Sequence, residues 1–405
     1  MAVTFPRGFV AGTASCGIKA FTAGATAIPS GQQKDLCVVR SERVCDTGGV
    51  FTTNKVKSAS VVIDHLHLQH NRVQALVVNS GNANACTGAQ GFKDALLMAK
   101  ITADHLDLDP DQVLVSSTGV IGRYMPMDAV KSGIISACAD MDAAHGLDAA
   151  HAIMTTDSKP KLAELEVDLG GVPVRIGGMC KGSGMIHPNM ATMLAYITTD
   201  AAVEPGLMSK LVKSVADLSF NQVTVDGDSS TNDSFLILAN GAAGNEPIGA
   251  GSAQADALRD GLIQVARELA RAIARDGEGA TRLITVKVLE AASASEARTA
   301  ARAVASSNLV KTAVHGGDPN WGRIVCALGY SGAEVALDRL NLSVGGLVVF
   351  ERGAGVDVDL SAVRRAFEKP EIEIVARLGL GEGEAESWGC DLSEEYVRIN
   401  ADYTT

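Results

Sequence analysis

The chain has 405 residues, 46% hydrophobic and 20% charged, with a formal net charge of −12. That length calls for two or three domains around a substantial core, and an acidic chain without a Lys/Arg block argues against a nucleic-acid partner, which needs concentrated positive charge. No apolar run approaches the ~20 residues needed to cross a bilayer, and the opening MAVTFPRGFVAGTASCGIKA, interrupted by Gly and Thr, does not read as a secretory signal. In chain order, residues 73–79 read as a strand that ends in the polar stretch Asn79-Ser-Gly-Asn-Ala-Asn-Ala85. Residues 92–106 read as a helix, 112–117 as a strand running into Thr118-Gly119-Val120-Ile121-Gly122, and 127–139 as a helix. Residues 193–197 form an apolar run expected to be a buried strand. Helical spacing follows at 206–218 and 253–275, with short strands at 223–225, 235–239 and 283–289. The long helix stops at the turn-rich Asp276-Gly-Glu-Gly-Ala-Thr281. The tail carries an Ala-rich helical stretch at 290–306, period-two alternation at 371–375 and a solvated loop at 381–386. Alternating strands and helices define an α/β chain, with a main body over 1–285 and a smaller α/β unit over 286–405.

Eight cysteines, at 16, 37, 45, 86, 138, 180, 326 and 390, show no C-x-x-C spacing. They are expected to be reduced and mostly buried, as in a cytoplasmic protein. His65, His67 and His70 lie close together, but no carboxylate cluster follows, and 64–72 reads as a solvated amphipathic segment; no metal site is expected. Asp226 and Asp228, within Thr224-Val-Asp-Gly-Asp-Ser-Ser-Thr-Asn-Asp233, resemble a cation loop. Ile237 stands where an EF-hand loop needs glutamate, so an Asx-rich supporting turn is the expectation. No phosphate-binding or dinucleotide fingerprint is present, and no cofactor is expected.

The step Ala191–Thr192 is the most informative feature. A Gly-rich turn, Lys181-Gly-Ser-Gly-Met185, leads through His187-Pro-Asn-Met to a small residue, a threonine and the apolar run. A threonine hydroxyl is a weak nucleophile alone but a usable one when its own free α-amine serves as base. Attack of the Thr192 hydroxyl on the Ala191 carbonyl, an N→O acyl shift and hydrolysis would liberate that amine, whose reference pKa is near ~8. Locally, a plain strand start explains the same residues more simply. Ser116-Ser117-Thr118-Gly119 is likewise an ordinary strand-to-turn transition, or a pair of donors for a developing oxyanion.

Taken together and in order, these motifs resemble the ArgJ family, the glutamate N-acetyltransferases also called ornithine acetyltransferases. The resemblance runs from end to end. It is carried by Gly49-Val-Phe-Thr-Thr-Asn54, Asn79-Ser-Gly-Asn-Ala-Asn84, Ser117-Thr-Gly-Val-Ile-Gly122, Met154-Thr-Thr-Asp157, Lys181-Gly-Ser-Gly-Met185 and His187-Pro-Asn-Met-Ala-Thr-Met-Leu194. Thr224-Val-Asp-Gly-Asp228, Gly277-Glu-Gly-Ala-Thr281, Asp318-Pro-Asn-Trp-Gly-Arg323 and Ile399-Asn-Ala-Asp-Tyr-Thr-Thr405 complete it.

The resemblance implies a layered sheet-and-helix fold and self-cleavage between Ala191 and Thr192, giving an α chain over 1–191 and a β chain from 192. It implies that Thr192 takes acetyl from N-acetylornithine and passes it to glutamate, with Thr118 and Gly119 as oxyanion hole. Thr155, Lys181, Thr192, Glu278, Asn400 and Thr405 match substrate contacts, with adjacent Thr156 an alternative to Thr155. An α2β2 assembly of the cleaved chains is implied, and acetyl-CoA stays open as a second donor. Other readings of the same threonine are an aminopeptidase or amidase that passes the acyl group to water, or an uncleaved binding protein. Cys180 stands where the family is expected to carry small residues, and His315 has no role in this reading.

Overall fold

A computed structural model of the chain describes residues 1–19, 33–187 and 193–402. The first two sheets take their strands, in chain order, from β1 (Phe9–Ala14), β2 (Leu36–Ser41), β3 (Asp46–Phe51), β4 (Ala75–Asn82), β5 (Val113–Val120), β6 (Lys161–Asp168), β7 (Pro173–Lys181), β8 (Leu194–Thr199) and β9 (Ser234–Ala239). One sheet runs β1-β2-β4-β5 and the other β3-β9-β8-β7-β6. Pairing is antiparallel except for β4 with β5 and β8 with β9. Most of these strands are apolar runs without clean alternation because both faces are covered; β6, at the edge of its sheet, alternates Leu165 and Val167 with Glu164, Glu166 and Asp168. β8 and β9 are buried at every position.

The two sheets pack face to face. Phe9, Val39, Leu76 and Leu114 of the first meet Met179, Tyr196, Leu236 and Leu238 of the second. Helices α1 (Ala59–His67), α2 (Gly88–Leu106) and α3 (Met127–Ala139) contribute Ile63, Met98 and Ile134 to the outer face of the first sheet, while α4 (Gly146–Ile153) joins the inter-sheet core. Helices α5 (Leu207–Asp217) and α6 (Ala253–Arg275) cover the outer face of the second. The result is a helix–sheet–sheet–helix sandwich. α6 shows why the sequence places it there. Ser252 caps it by accepting from the Ala255 amide, and Leu258, Leu262, Val265, Leu269 and Ile273 form one buried stripe. Burial of each such side chain contributes about 1.5–3 kcal/mol.

The third sheet follows from Leu283. Its strands are β10 (Leu283–Ala291), β11 (Asn341–Val344), β12 (Leu347–Glu351), β13 (Ala354–Gly355), β14 (Glu371–Arg377) and β15 (Gly383–Cys390), ordered β13-β12-β11-β14-β10-β15. Helices α7 (Ala294–Ser306), α8 (Asn308–Gly316), α9 (Trp321–Gly329) and α10 (Leu360–Phe367) pack on one face, against Ile372, Ile374 and Ala376 of the alternating β14. The last described helix, α11 (Glu394–Asp402), has no buried residue. Leu283, Trp388 and Cys390 belong to the same core as α5 and α6, so this sheet is packed directly against the sandwich.

Three local expectations change. Residues 290–291 extend β10, and the Ala-rich helix begins only at Ala294, because Ser293 caps it through the Glu296 amide. Residues 223–225 form no strand; Val223 makes a single bridge to Trp388. Residues 383–386 open β15 rather than a solvated loop, and Glu386 pairs with Arg267. All eight cysteines are free; Cys37, Cys45, Cys180 and Cys390 are buried, and Cys86 and Cys326 are exposed.

Candidate active site

The site forms where parallel strands end together. The β4–β5 pair ends in a bulge at Asn82, and Thr118 and Gly119 leave β5 at this point. Gly119 has φ +129°, and a Cβ there would lie 2.2 Å from the Gly81 carbonyl carbon. Only glycine fits that close approach. Asn232 locks the turn to the second sheet, its Nδ2 donating to the carbonyls of Ala83 (2.6 Å) and Ser117 (2.7 Å). Gly119→Ala should therefore force this strand end away from Gly81 and lower activity by at least about 100-fold, the scale on which loss of one oxyanion donor acts. Steady-state kinetics beside a circular-dichroism melt would check this; near-normal kcat would remove Gly119 from the site.

From the second sheet, Lys181 ends β7, paired in register with Leu194 of β8. Its Nζ lies 3.5 Å from Thr118 Oγ1. Burial pulls the Lys181 ammonium below its ordinary pKa; Lys161 acts in the same direction, and Asp157, Glu278 and Asp233 oppose it. The Gly-rich loop beyond it is tightly held. Ser183 and Met185 adopt φ +120° and +58°, conformations unfavourable for side-chain-bearing residues. They are kept there by specific partners. Asp226 accepts from the amides of Met185 (2.6 Å) and Ile186 (2.8 Å), and the Glu278 amide donates to the Ser183 carbonyl (3.1 Å). The 226–233 segment is thus the supporting turn that its Asx content suggests.

Below the loop lies a buried ion cluster. Lys161 Nζ donates to Asp157 Oδ1 and Asp276 Oδ2, both at 2.6 Å, and Asp157 Oδ1 also accepts from the Gly182 amide (2.9 Å). Burial works against the Lys161 charge, but Asp157 and Asp276 outweigh it and hold the ammonium above its ordinary pKa.

These groups enclose a cavity of about 130 Å³, below the ~300 Å³ at which drug-sized sites begin. Thr118, Gly119, Thr155, Thr156, Lys181 and Glu278 line it together with Asn400 and Tyr396 of α11. Asn400 Nδ2 donates to Glu278 Oε2 at 2.8 Å. Gly184 stands so close to Glu278 that a Cβ would fall 2.4 Å from its carboxyl carbon. Seven of the sequence-derived positions, with Thr155 and Thr156 both counted, are therefore brought to one place from segments far apart in the chain. Ala191, Thr192 and Thr405 lie outside the described residues. Met193, the residue bonded to Thr192, lines the cavity beside Leu194.

Several contributors escape the motif reading. Asp233 is buried behind Lys181 and faces Thr52, Ser230 and the Met193 amide; burial pushes its carboxyl well up despite these groups. Its place at the end of the 224–233 motif was the only signal. Tyr396 faces Asp226 and Glu278, which, after burial itself, push its phenol up. Lys161 carries no motif signal at all, and Asp276 is marked only as the start of the turn that stops the long helix.

The remaining questions from the sequence resolve structurally. Cys180 is wholly buried against α6, and burial pushes its thiol far up. His315 has a position: its Nδ1 meets Asp391 Oδ2 at 2.8 Å, and Asp391 accepts the amides of Thr281 (2.7 Å) and Arg282 (2.8 Å), fixing the turn after Glu278. Burial would raise Asp391, but these hydrogen bonds hold it below the usual carboxylate range. The His65–His70 segment is not simply solvated. Asp64 is buried and accepts from the Val115 amide, and His67 Nδ1 meets the Val113 carbonyl. Among the described residues no group of three or more His, Cys, Asp or Glu is placed to hold a metal ion, and no helix is long and apolar enough to cross a membrane.

A layered α/β body with a small polar cavity, lined by the buried Lys181 and by the carboxyls of Asp226, Asp228, Asp233 and Glu278, defines a site for a small polar molecule. Residues 12–405 match the ArgJ family, and the chain belongs to that family. It is 50% identical over 403 residues to the arginine biosynthesis bifunctional protein ArgJ of Symbiobacterium thermophilum, covering 100% of this chain and 98% of that one. It is 44% identical to the protein of the same name from Caldanaerobacter subterraneus subsp. tengcongensis, again covering 100% and 98%. Among solved structures, the arginine biosynthesis bifunctional protein argJ of Bacillus halodurans matches with a TM-score of 0.51 and 40% identity, covering 52% of this chain and all of that one.

Proposed function

We propose that the enzyme transfers acetyl from N2-acetyl-L-ornithine to L-glutamate in arginine biosynthesis, through an acetyl-Thr192 intermediate formed after self-cleavage at Ala191–Thr192. The observation that carries this reading is the meeting of Thr118, Gly119, Lys181 and Glu278 at the start of the strand that follows Thr192. In maturation, the Thr192 hydroxyl attacks the Ala191 carbonyl, the C–N bond breaks, and water hydrolyses the resulting ester. The freed α-amine then removes the hydroxyl proton as Thr192 attacks the acetyl carbonyl. Negative charge on the carbonyl oxygen develops at Thr118–Gly119, where each donor contributes roughly 3–4 kcal/mol in comparable sites. Ornithine leaves with the proton; the glutamate amine then attacks the acetyl carbon, the ester C–O bond breaks, and Thr192 recovers its proton from that amine as N-acetylglutamate leaves.

Both substrates are amino acids with a carboxylate and a cationic or amine group. Lys181 pairs with the carboxylate and Glu278, oriented by Asn400, with the ammonium. Thr155, or its neighbour Thr156, and Thr405 complete the substrate contacts. The cleaved halves form an α2β2 assembly in the cytoplasm, and the enzyme needs no cofactor; acetyl-CoA serves as a second donor in the bifunctional form of this chemistry.

The test is an assay of purified protein with glutamate plus either N-acetylornithine or acetyl-CoA. Acetyl transfer from N-acetylornithine supports the reading; deacetylation that glutamate neither accelerates nor diverts would assign the site to an amidase. Lys181→Ala should raise KM for both amino acids by about 10-fold or more while leaving self-cleavage intact. Because the Lys181 pKa is lowered, its charge is lost as pH rises through a value below the ordinary 10.5. Thus kcat/KM should fall on the alkaline side before an ordinary lysine would titrate, and Lys181→Arg should move that limb upward. An unchanged KM in Lys181→Ala would sink the assignment.

A further inference from the structure

The wall of the catalytic cavity has a second face. Ile186 and Ser229 are bridged backbone to backbone. Ile186 and Ser230 line the cavity, whereas their neighbours His187 and Ser229 line a separate polar cleft of about 600 Å³. The opposite side of this cleft is α7, which presents Arg298 and Arg302 one turn apart. Like charges at that spacing repel and destabilise a helix unless something neutralises them.

Among the described residues nothing does. The basic residues along the adjoining groove are paired: Arg267 with Glu386, Arg271 with Glu371 and Lys287 with Glu373. Among the described residues no carboxylate pairs with Arg298 or Arg302. Arg302 Nη2 is 3.0 Å from His187 Nε2, and its buried Nε has no hydrogen-bond partner. The one acid lining the cleft, Asp217, is already engaged by Lys213 (2.6 Å) and Asn221 (2.9 Å). Two guanidinium groups without counter-charge, one with a buried donor unused, are out of keeping with a chain of net charge −12.

We propose that Arg298 and Arg302 form an anion site that takes the phosphate group of a small molecule. A phosphate suits the cleft better than a carboxylate. It offers acceptors in three directions, matching two planar guanidinium forks with the Ser295 hydroxyl beside them. The phosphate comes either free from solution or on a phosphorylated acyl donor such as acetyl-CoA. In both cases it seats against His187, on the back of the loop that shapes the catalytic cavity.

Isothermal titration of the purified enzyme with inorganic phosphate and pyrophosphate tests this without any need for acetyl transfer, so it fails or succeeds independently of the proposed reaction. The wild type should bind, and Arg302→Met and Arg298→Gln should each weaken binding by ~10-fold or more. Arg298 is half-buried and away from the cavity, so Arg298→Gln carries the test if Arg302→Met does not fold. Titration with CoA and 3′-dephospho-CoA separates the sources. CoA binding that depends on the 3′-phosphate in the wild type but not in Arg298→Gln places a donor phosphate here; CoA binding indifferent to the variant, with pyrophosphate binding lost, assigns the site to a free anion. No binding of either inorganic probe by the wild type, or equal binding by wild type and variants, overturns the proposal.

Discussion

Thr192→Ala yields one 405-residue chain on denaturing electrophoresis and lowers acetyl transfer by at least about 10⁴-fold, the scale seen when an acyl-transfer nucleophile is removed. The expected effect is large because, in the proposed mechanism, one hydroxyl serves twice, first on the Ala191 carbonyl and then on the acetyl donor. The wild type should give fragments of 191 and 214 residues. Thr192→Ser keeps a hydroxyl and an α-amine, so it should still cleave, more slowly, and retain measurable transfer. Lys181→Ala separates the two functions: cleavage persists while substrate binding weakens. Two fragments from Thr192→Ala, or undiminished transfer by an uncleaved chain, would dismiss the autoproteolytic mechanism.

The second large effect belongs to stability. Lys161→Met should destabilise the fold by about 3–5 kcal/mol, because it strands two buried carboxylates without a counter-charge. Asp157 and Asp276 both lie within 2.6 Å of the Lys161 ammonium and are almost wholly buried. The variant must protonate or hydrate them, and the Gly182 amide that leans on Asp157 loosens with them. Since the Lys161 pKa is raised in the folded protein, its stabilisation is complete below the unfolded lysine value and is lost as pH rises through the folded one. At neutral pH the whole effect is therefore visible in urea unfolding. Asp157→Asn with Asp276→Asn, added to Lys161→Met, should recover part of the loss by removing both stranded charges. A urea midpoint unchanged in Lys161→Met would show that the cluster contributes nothing.

Much of the sandwich was legible because helix and strand periods write themselves into apolar spacing. The helix at 253–275 is observed at Ala253–Arg275, and the one at 127–139 at Met127–Ala139. Misreadings fall where local composition and pairing compete. The Ala-rich stretch after Glu290 has helical propensity, yet its first residues pair as strand because β14 and β15 flank β10. Glu384 and Glu386 look solvated in sequence, but Glu386 meets Arg267, a partner 119 residues away.

The sequence by itself determined the family: a threonine after a Gly-rich turn and a Thr-Gly step at a strand end are each ordinary alone, and only their combination and order with the other motifs is specific. Tertiary structure alone decided which charges face one another. The Lys161–Asp276 contact, Asp233 behind Lys181 and the His315–Asp391 support depend on distances between segments up to a hundred residues and more apart. Electrostatic energy and desolvation are set by those through-space distances and by burial, and neither is encoded in the spacing of any single stretch of chain.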